Sequence, residues 1–372
     1  MSRPNRSGKG GSRSRCDLSS KMRSDTPPTF ALRLATWQRV HGRNDLPWQN
    51  TRDAYRIWLS EIMLQQTQVA TVLPYYARFL ERFPDVTALA TAPEDDVMAH
   101  WAGLGYYSRA RNLHRAAQQV VSQHGGQFPA DINLLAELPG VGRSTAAAIA
   151  AFGYDVIAPI LDGNVKRVLA RHAGVEGFPG VSAVEKKLWI EADARLPDSP
   201  ADMVAYTQGL MDLGAAICAR SDPRCLLCPV ADDCAARISG RVADIPAARP
   251  SKVLPQRAQR YLLLTHAGQV LLVKRPSPGI WGGLWCLPEI ADDEDATVTA
   301  RLHYGASEYG AATALAPIAH AFTHFRLSLR VTQLAAQRIE PRAMQSSARW
   351  VASDALQTTA LPKPISRLLA NL

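Results

Sequence analysis

Between Thr29 and about Arg237, apolar residues recur with the 3.6-residue period of helices that bury one face, among good helix formers and few β-branched alternations. Residues 53–73 read as one helix, with Pro74 in the first turn of the next. The segment Asp131–Glu137 leads into a Leu138-Pro139-Gly140-Val141-Gly142 turn and then an Ala-rich helix over 144–152. Residues 240–258 hold Pro246, Pro250 and Pro255 among scattered charges, the composition of a linker. Beyond it the period changes to two. Arg260–Lys274 alternates around His266-Ala267-Gly268-Gln269, a hairpin signature. Phe325–Leu334 reads as another strand, and Pro364–Leu369 as the start of a closing helix. The pattern predicts a mainly α N-terminal domain over 29–239, a linker over 240–258 and a smaller α+β domain over 259–372.

Length and composition narrow this picture. A chain of 372 residues accommodates two domains of ordinary size, and 47% hydrophobic residues exclude wholesale disorder. No apolar run reaches the length of a bilayer span, so an integral membrane protein is not expected. The net charge of +9 points to a polyanionic partner. Residues 1–28 hold seven basic residues against two acids, so five of those nine charges belong to a stretch that reads as a disordered basic tail. That stretch also resembles a transit peptide, and Met22 offers a later start. The charge argument for the folded part therefore rests on local placement.

Four features carry chemistry. Cys218, Cys225, Cys228 and Cys234 form C-x6-C-x2-C-x5-C, too sparse for a disulfide scaffold and dense enough for metal chemistry in a reducing compartment. Four thiolates suit a cubane iron–sulfur cluster, and zinc is the rival, although zinc ribbons present two C-x2-C knuckles and only one is here. Arg220, Arg224 and Arg237 would lie on the outer surface of this loop. Glu61 sits inside the apolar run Trp58–Leu64, where burial would raise its pKa and keep a proton available near neutrality. Gly140 and Gly142 would let the backbone of a helix-flanked hairpin approach a phosphate. Asp162, in Leu161-Asp162-Gly163-Asn164-Val165, is placed to cap the next helix and to stay ionised there.

The order of these features resembles the helix-hairpin-helix DNA glycosylases with an iron–sulfur loop, and within them the adenine DNA glycosylases of the MutY type. The blocks that carry the resemblance are Leu46-Pro47-Trp48, Ser60–Gln68, Gly103–Arg109, Leu138–Thr145, Ile160–Leu169 and the cysteines. It implies one 4Fe–4S cluster per chain and a cytoplasmic, nucleoid-associated monomer. Its substrate would be double-stranded DNA with adenine opposite 8-oxoguanine or guanine. Cleaving an N-glycosidic bond needs a protonated leaving base and a stabilised oxocarbenium-like sugar. By resemblance, Glu61 would protonate adenine N7, and Asp162, assisted by Asn164, would stabilise or trap the cation. Gln66 and Tyr106, with Leu104 beside them, would wedge the base stack, and Trp48 and Gln208 would line the flipped adenine. Trp48 and Leu104 also read as plain core residues. Ser144 stands where bifunctional relatives carry a Schiff-base lysine, so a monofunctional enzyme is implied.

Lys274-Arg275-Pro276 and Gly279–Pro288 resemble the Nudix-like domain appended to these enzymes. A working Nudix hydrolase needs Gly-x5-Glu-x7-Arg-Glu-x2-Glu-Glu to hold Mg²⁺. Gly283 and Glu289 fit its start, but Thr297-Val298 and Arg301-Leu302 replace the rest, so no divalent site is expected. The resemblance implies instead that Phe322-Thr323-His324 reads 8-oxoguanine, with an ordinary strand-entry turn as the plainer alternative. A thymine- or uracil-directed glycosylase and a non-catalytic damage-binding protein are the rival functions.

Overall fold

Short polar side chains start the helices. Thr29, Asp53, Asp85, Asp131, Asp162 and Asp295 each accept a hydrogen bond from a backbone N–H in the first turn that follows, satisfying donors that a helix leaves open. The computed structural model describes residues 1, 28–250, 253–277, 279–340 and 347–370. Most of the basic tail therefore lies outside the described residues. In chain order the helices are α1 (Phe30–His41), α2 (Ala54–Leu64), α3 (Val69–Arg82), α4 (Val86–Thr91), α5 (Glu94–Trp101), α6 (Ser108–His124), α7 (Ile132–Ala136), α8 (Arg143–Tyr154), α9 (Gly163–Ala173), α10 (Ser182–Asp193), α11 (Met203–Asp212) and α12 (Ala235–Ile238). A sheet follows, of β1 (Gln256–His266), β2 (Gln269–Lys274), β3 (Trp285–Cys286), β4 (Glu289–Ile290), β5 (Ala306–Tyr309), β6 (Thr313–Ala314), β7 (Ile318–Ala321), β8 (Arg326–Ile339) and β9 (Ala348–Ala352). Helices α13 (Ala296–Tyr304) and α14 (Lys363–Leu369) accompany it.

The expected helix over 53–73 is two helices, broken at residues 65–68, and Pro74 lies inside α3 rather than in its first turn. The break contains neither glycine nor proline. It forms because Gln66 takes a left-handed backbone, φ 56°. Helix α8 joins the two helical cores. Its Ala146, Ile149 and Ala150 pack with Trp58, Phe79 and Trp101, whereas Ala147, Ala148 and Ala151 pack with Leu34, Val165 and Tyr206. Alanine on both faces lets neighbours approach from either side, which explains the Ala-rich stretch seen in the sequence.

The hairpin forms where expected, β1 and β2 meeting at Thr265↔Val270 around Ala267 and Gly268, both left-handed. Strand β1 begins at Gln256, inside the expected linker, because it pairs in parallel with β8 from Gln256↔Arg326 to Thr265↔Ala335. The preceding residues are also held: Arg171 Nε donates to Ile245 O at 2.9 Å and Ala247 N to Gly177 O at 3.1 Å. Alternation along β1 serves two cores. Tyr261 and Leu263 join the large cluster shared with the helices, while Leu262 and Leu264 face α13 residues Ala296 and Ala300. No helix of the described residues is long and apolar enough to cross a membrane.

Leu263 has no solvent exposure, so Leu263→Ala is expected to cost about 2–5 kcal/mol in urea denaturation. Arg330→Ala, on an exposed position of β8, should stay within about 0.5 kcal/mol.

Candidate active site

Glu61 lies on the last turns of α2, in the wall of a cavity of about 610 Å³ that Trp48, Gln49, Leu64 and Gln208 also line. Among the described residues, no hydrogen bond or ion pair to its carboxylate is formed. Burial, and secondarily the charge of Asp162, push its pKa up to about 8. Asp162 caps α9, accepting from Val165 N at 2.7 Å. Burial pushes its carboxyl above the ordinary value, although N–H donors at Asn164 and Val165 and the nearby Arg167 and Lys166 pull the other way. Capping and burial therefore act on Asp162 in opposite directions. Glu61 has no such donors, and the charge of Asp162 adds to burial in favouring its protonated form.

The surroundings of Asp162 are tied down from two sides. Ser144, in the first turn of α8, accepts from Leu161 N at 2.9 Å, joining the hairpin helix to the residue before Asp162. Asn164 Oδ1 accepts from Arg167 Nη2 at 3.0 Å, and the same guanidinium donates to Gly214 O at 2.7 Å and Cys218 O at 2.8 Å. Gly214 has to be glycine, because a Cβ there would meet Asn164 Cβ at 2.7 Å.

Across the cavity, Trp48 is 7% exposed and stands edge-on to Tyr76, ring centroids 5.2 Å apart. Gln208 Nε2 donates to Asp212 at 2.8 Å, and Asp212, buried, accepts from Arg43 N and side chain at 2.7–2.9 Å. Sequence reasoning missed Asp212 and Arg43. A carboxylate four residues after Gln208 in an apolar helix is the same signal that singled out Glu61. Gln49 was also missed, and its buried Nε2 has no partner among the described residues, leaving a donor on this wall.

A second pocket brings Gln66, Tyr106, Arg109, Asn112 and Gly140 together. Gln66 (φ 56°) and Tyr106 (φ 48°) are both left-handed and exposed. Such a backbone costs a non-glycine residue about 1–2 kcal/mol. Arg109 holds both in place. Its Nη1 donates to the carbonyls of Ile62, Met63 and Gln65 at 2.7–2.9 Å, and its Nη2 to Gly105 O at 3.2 Å and Thr67 Oγ1 at 3.1 Å. Leu104 is 6% exposed and packs in the large core, so it does not project with Gln66 and Tyr106 as the wedge reading expected. Gly140 (φ +81°) abuts Asn112, whereas nothing lies within 4 Å of a Cβ built on Gly142, leaving the N-terminus of α8 open.

Cys218, Cys225, Cys228 and Cys234 line one apolar cavity with Val168, Leu213 and Val230. Among the described residues, no three ligating side chains stand at ion-holding distances. The donor chemistry nevertheless fits a metal centre. Arg171 Nη1 lies 3.3 Å from Cys218 Sγ, and burial and neighbouring thiols raise Cys228 and Cys234, so four thiolates could share this cavity only with a cation balancing them. Arg220, Arg224 and Arg237 are exposed around the loop.

In the C-terminal half, Thr323 and His324 are exposed at the β7–β8 turn. Phe322 is stacked on Phe325 at 4.6 Å and packs near Trp281 at 5.8 Å. Glu289 is paired with Arg275 at 2.6 Å, so even the one Nudix-like carboxylate is engaged.

Comparison with known proteins adds the following. Residues 59–192 match the family described as HhH-GPD superfamily base excision DNA repair protein, and residues 260–371 match the NUDIX domain. The chain is 34% identical to an adenine DNA glycosylase of Buchnera aphidicola over 92% of this chain and 97% of that protein. It is 32% identical to the human adenine DNA glycosylase, over 91% of this chain and 73% of that one. Among solved structures, a thermostable thymine-DNA glycosylase is similar with a TM-score of 0.50 and 28% identity, covering 56% of this chain and 95% of its own.

The raised Glu61 pKa has a stability consequence. The fold keeps this proton until about pH 8, whereas an unfolded glutamate releases it near 4.5. Between those values folding takes up a proton, so wild-type stability falls as pH rises. Glu61→Gln, which cannot ionise, is expected to gain stability over wild type between pH 5 and pH 8 in urea denaturation. An advantage that does not grow with pH would refute the protonated carboxyl.

Proposed function

The chain belongs to the adenine DNA glycosylases, and from that premise we propose that it excises adenine opposite 8-oxoguanine, and opposite guanine, without cutting the strand. One observation carries the reading: a carboxyl whose pKa is pushed up to about 8, in part by the charge of Asp162, faces a cavity lined by Trp48, Gln49 and Gln208. An adenine flipped into the cavity would lie against Trp48, with Gln208 held in place by Asp212 and Arg43. Glu61 would pass its proton to N7, making the base a neutral leaving group. Asp162, held by Val165 N–H and steadied through Asn164 and Arg167, would stabilise the oxocarbenium or trap it until water attacks. Gln66 and Tyr106 would fill the space the base vacates. Ser144 cannot form an imine, and its hydroxyl is already engaged by Leu161 N–H.

The rival readings have less support. The likeness to the thymine-directed enzyme stops at about half of the chain, whereas the adenine DNA glycosylases align along nearly all of it. A silent damage sensor would have no need for a buried carboxyl with a pKa pushed up to about 8 beside a second carboxyl. Phe322, Thr323 and His324 are proposed to read 8-oxoguanine, Thr323 keeping a hydroxyl at the turn. Cys218, Cys225, Cys228 and Cys234 are proposed to hold one 4Fe–4S cluster, which would cross-link the basic loop within itself, beside the ties that Arg167 and Arg171 make to it from α9.

A duplex with one adenine:8-oxoguanine pair is expected to break at the adenine only after protein treatment followed by hot alkali. Glu61→Gln should bind this duplex and lose about 10²–10⁴-fold in rate. An active preparation that leaves no alkali-labile site sinks the reading. Separately, metal analysis of anaerobic protein is expected to find four irons per chain with broad visible absorbance. Stoichiometric zinc would reverse that assignment.

A further inference from the structure

The turn that resembles the start of a Nudix motif holds no metal-binding run, yet it is built with care. Trp281 is left-handed (φ 55°), Gly283 likewise (φ +80°), and Gly282 and Gly283 are buried. Its backbone is pinned by Gly283 N to Arg275 O at 3.0 Å and Leu284 N to Trp281 O at 3.0 Å. The turn faces the helical half of the molecule. Arg111 Nη1, from α6, donates to Gly282 O. A Cβ on Gly283 would stand 3.3 Å from Glu94 Oε1 and 3.6 Å from Arg111 Cδ, so the turn seats close against both side chains. Beside it, Lys274 Nζ meets Asp95 Oδ1 at 2.6 Å. Between Asp95 and Asp96 on one side and Trp285 and Arg349 on the other, the seam opens into a cavity of about 450 Å³.

We propose that Arg111 is a positioning residue that couples the recognition turn Phe322–His324 to the excision site. The inference rests on the function proposed above. The path is continuous. Phe322 packs near Trp281, and the next carbonyl, Gly282 O, is held by Arg111. Arg111 is on the first turn of α6, two residues after Arg109, which holds the end of the Glu61 helix and the left-handed Gln66 and Tyr106. A shift of the recognition turn therefore reaches the wedge and the acid through one rigid helical turn. The Gly-rich turn thus serves as a docking surface for a guanidinium and no longer leads to a magnesium site.

Single-turnover excision of adenine opposite 8-oxoguanine and opposite guanine tests this, on wild type, Arg111→Met and Arg111→Lys. Arg111→Met is expected to lower the ratio of the two rates by about tenfold, the factor one hydrogen bond from a charged donor is worth, with the rate opposite guanine unchanged. Arg111→Lys, whose ammonium can still reach Gly282 O, should restore most of the ratio. Lys274→Met, opening the same seam at the ion pair with Asp95, should shift the ratio in the same direction. An unchanged ratio in the two methionine variants, or a proportional loss of both rates, overturns the coupling. A wild-type enzyme that excises adenine from neither duplex sinks the proposed function, whereas excision with a ratio unmoved by the methionine variants sinks the coupling alone, so the two failures are told apart.

Discussion

One buried guanidinium sets the geometry on which the rest of the site depends. Arg109 is 8% exposed and binds carbonyls from two separate stretches, residues 62–65 at the end of α2 and residues 104–105 before α6. Burial lowers its pKa only to about 10, so it stays charged near neutrality. These acceptors are carbonyls at a helix end and in a turn, groups that have no intrahelical partner and would otherwise be buried unsatisfied. In filling them, Arg109 ends α2 one turn after Glu61 and compels Gln66 and Tyr106 into left-handed backbone. The acid and the protruding pair are thus placed by the same interaction.

A second guanidinium does comparable work behind Asp162. Arg167 touches Asn164 on its own helix and the carbonyls of Gly214 and Cys218 beyond it, and Arg171, one turn later, adds Cys218 Sγ, Ala219 O and Ile245 O. The cysteine loop and the start of the inter-domain segment are therefore registered to the helix that Asp162 caps. This connection explains why a loop far along the chain belongs to the same functional unit as the carboxyl pair. Both carboxyls are buried and raised by it, but their surroundings differ: at Asp162 N–H donors and cations oppose burial, and at Glu61 a neighbouring negative charge adds to it.

Much of this was legible in the residues because it is local. Caps, the Ala-Gly hairpin turn and the alternation of β1 each act within a few positions, and the mainly α half followed by an α+β half came from them. The four cysteines and Glu61 announced themselves as residue types out of keeping with their neighbours. The break after α2 was missed for a different reason: Gln65–Gln68 has no helix breaker, and the group that enforces it lies 44 residues away at Arg109. Leu104 was set beside the wedge residues by resemblance, with a plain core residue as the alternative, and it packs in the core.

The sequence by itself determined which chemistry was available: an acid in an apolar helix, an aspartate at a helix start, an open glycine hairpin, a cysteine loop and a Nudix-like turn stripped of its carboxylates. Only the tertiary structure decided how these meet. The raised pKa of Glu61 depends on burial and on the charge of Asp162, the support of Gln208 by Asp212 and Arg43 spans 169 residues, and the seating of Gly282 on Arg111 spans 171. Such terms arise from desolvation and from partners distant in sequence, so no window along the chain contains them.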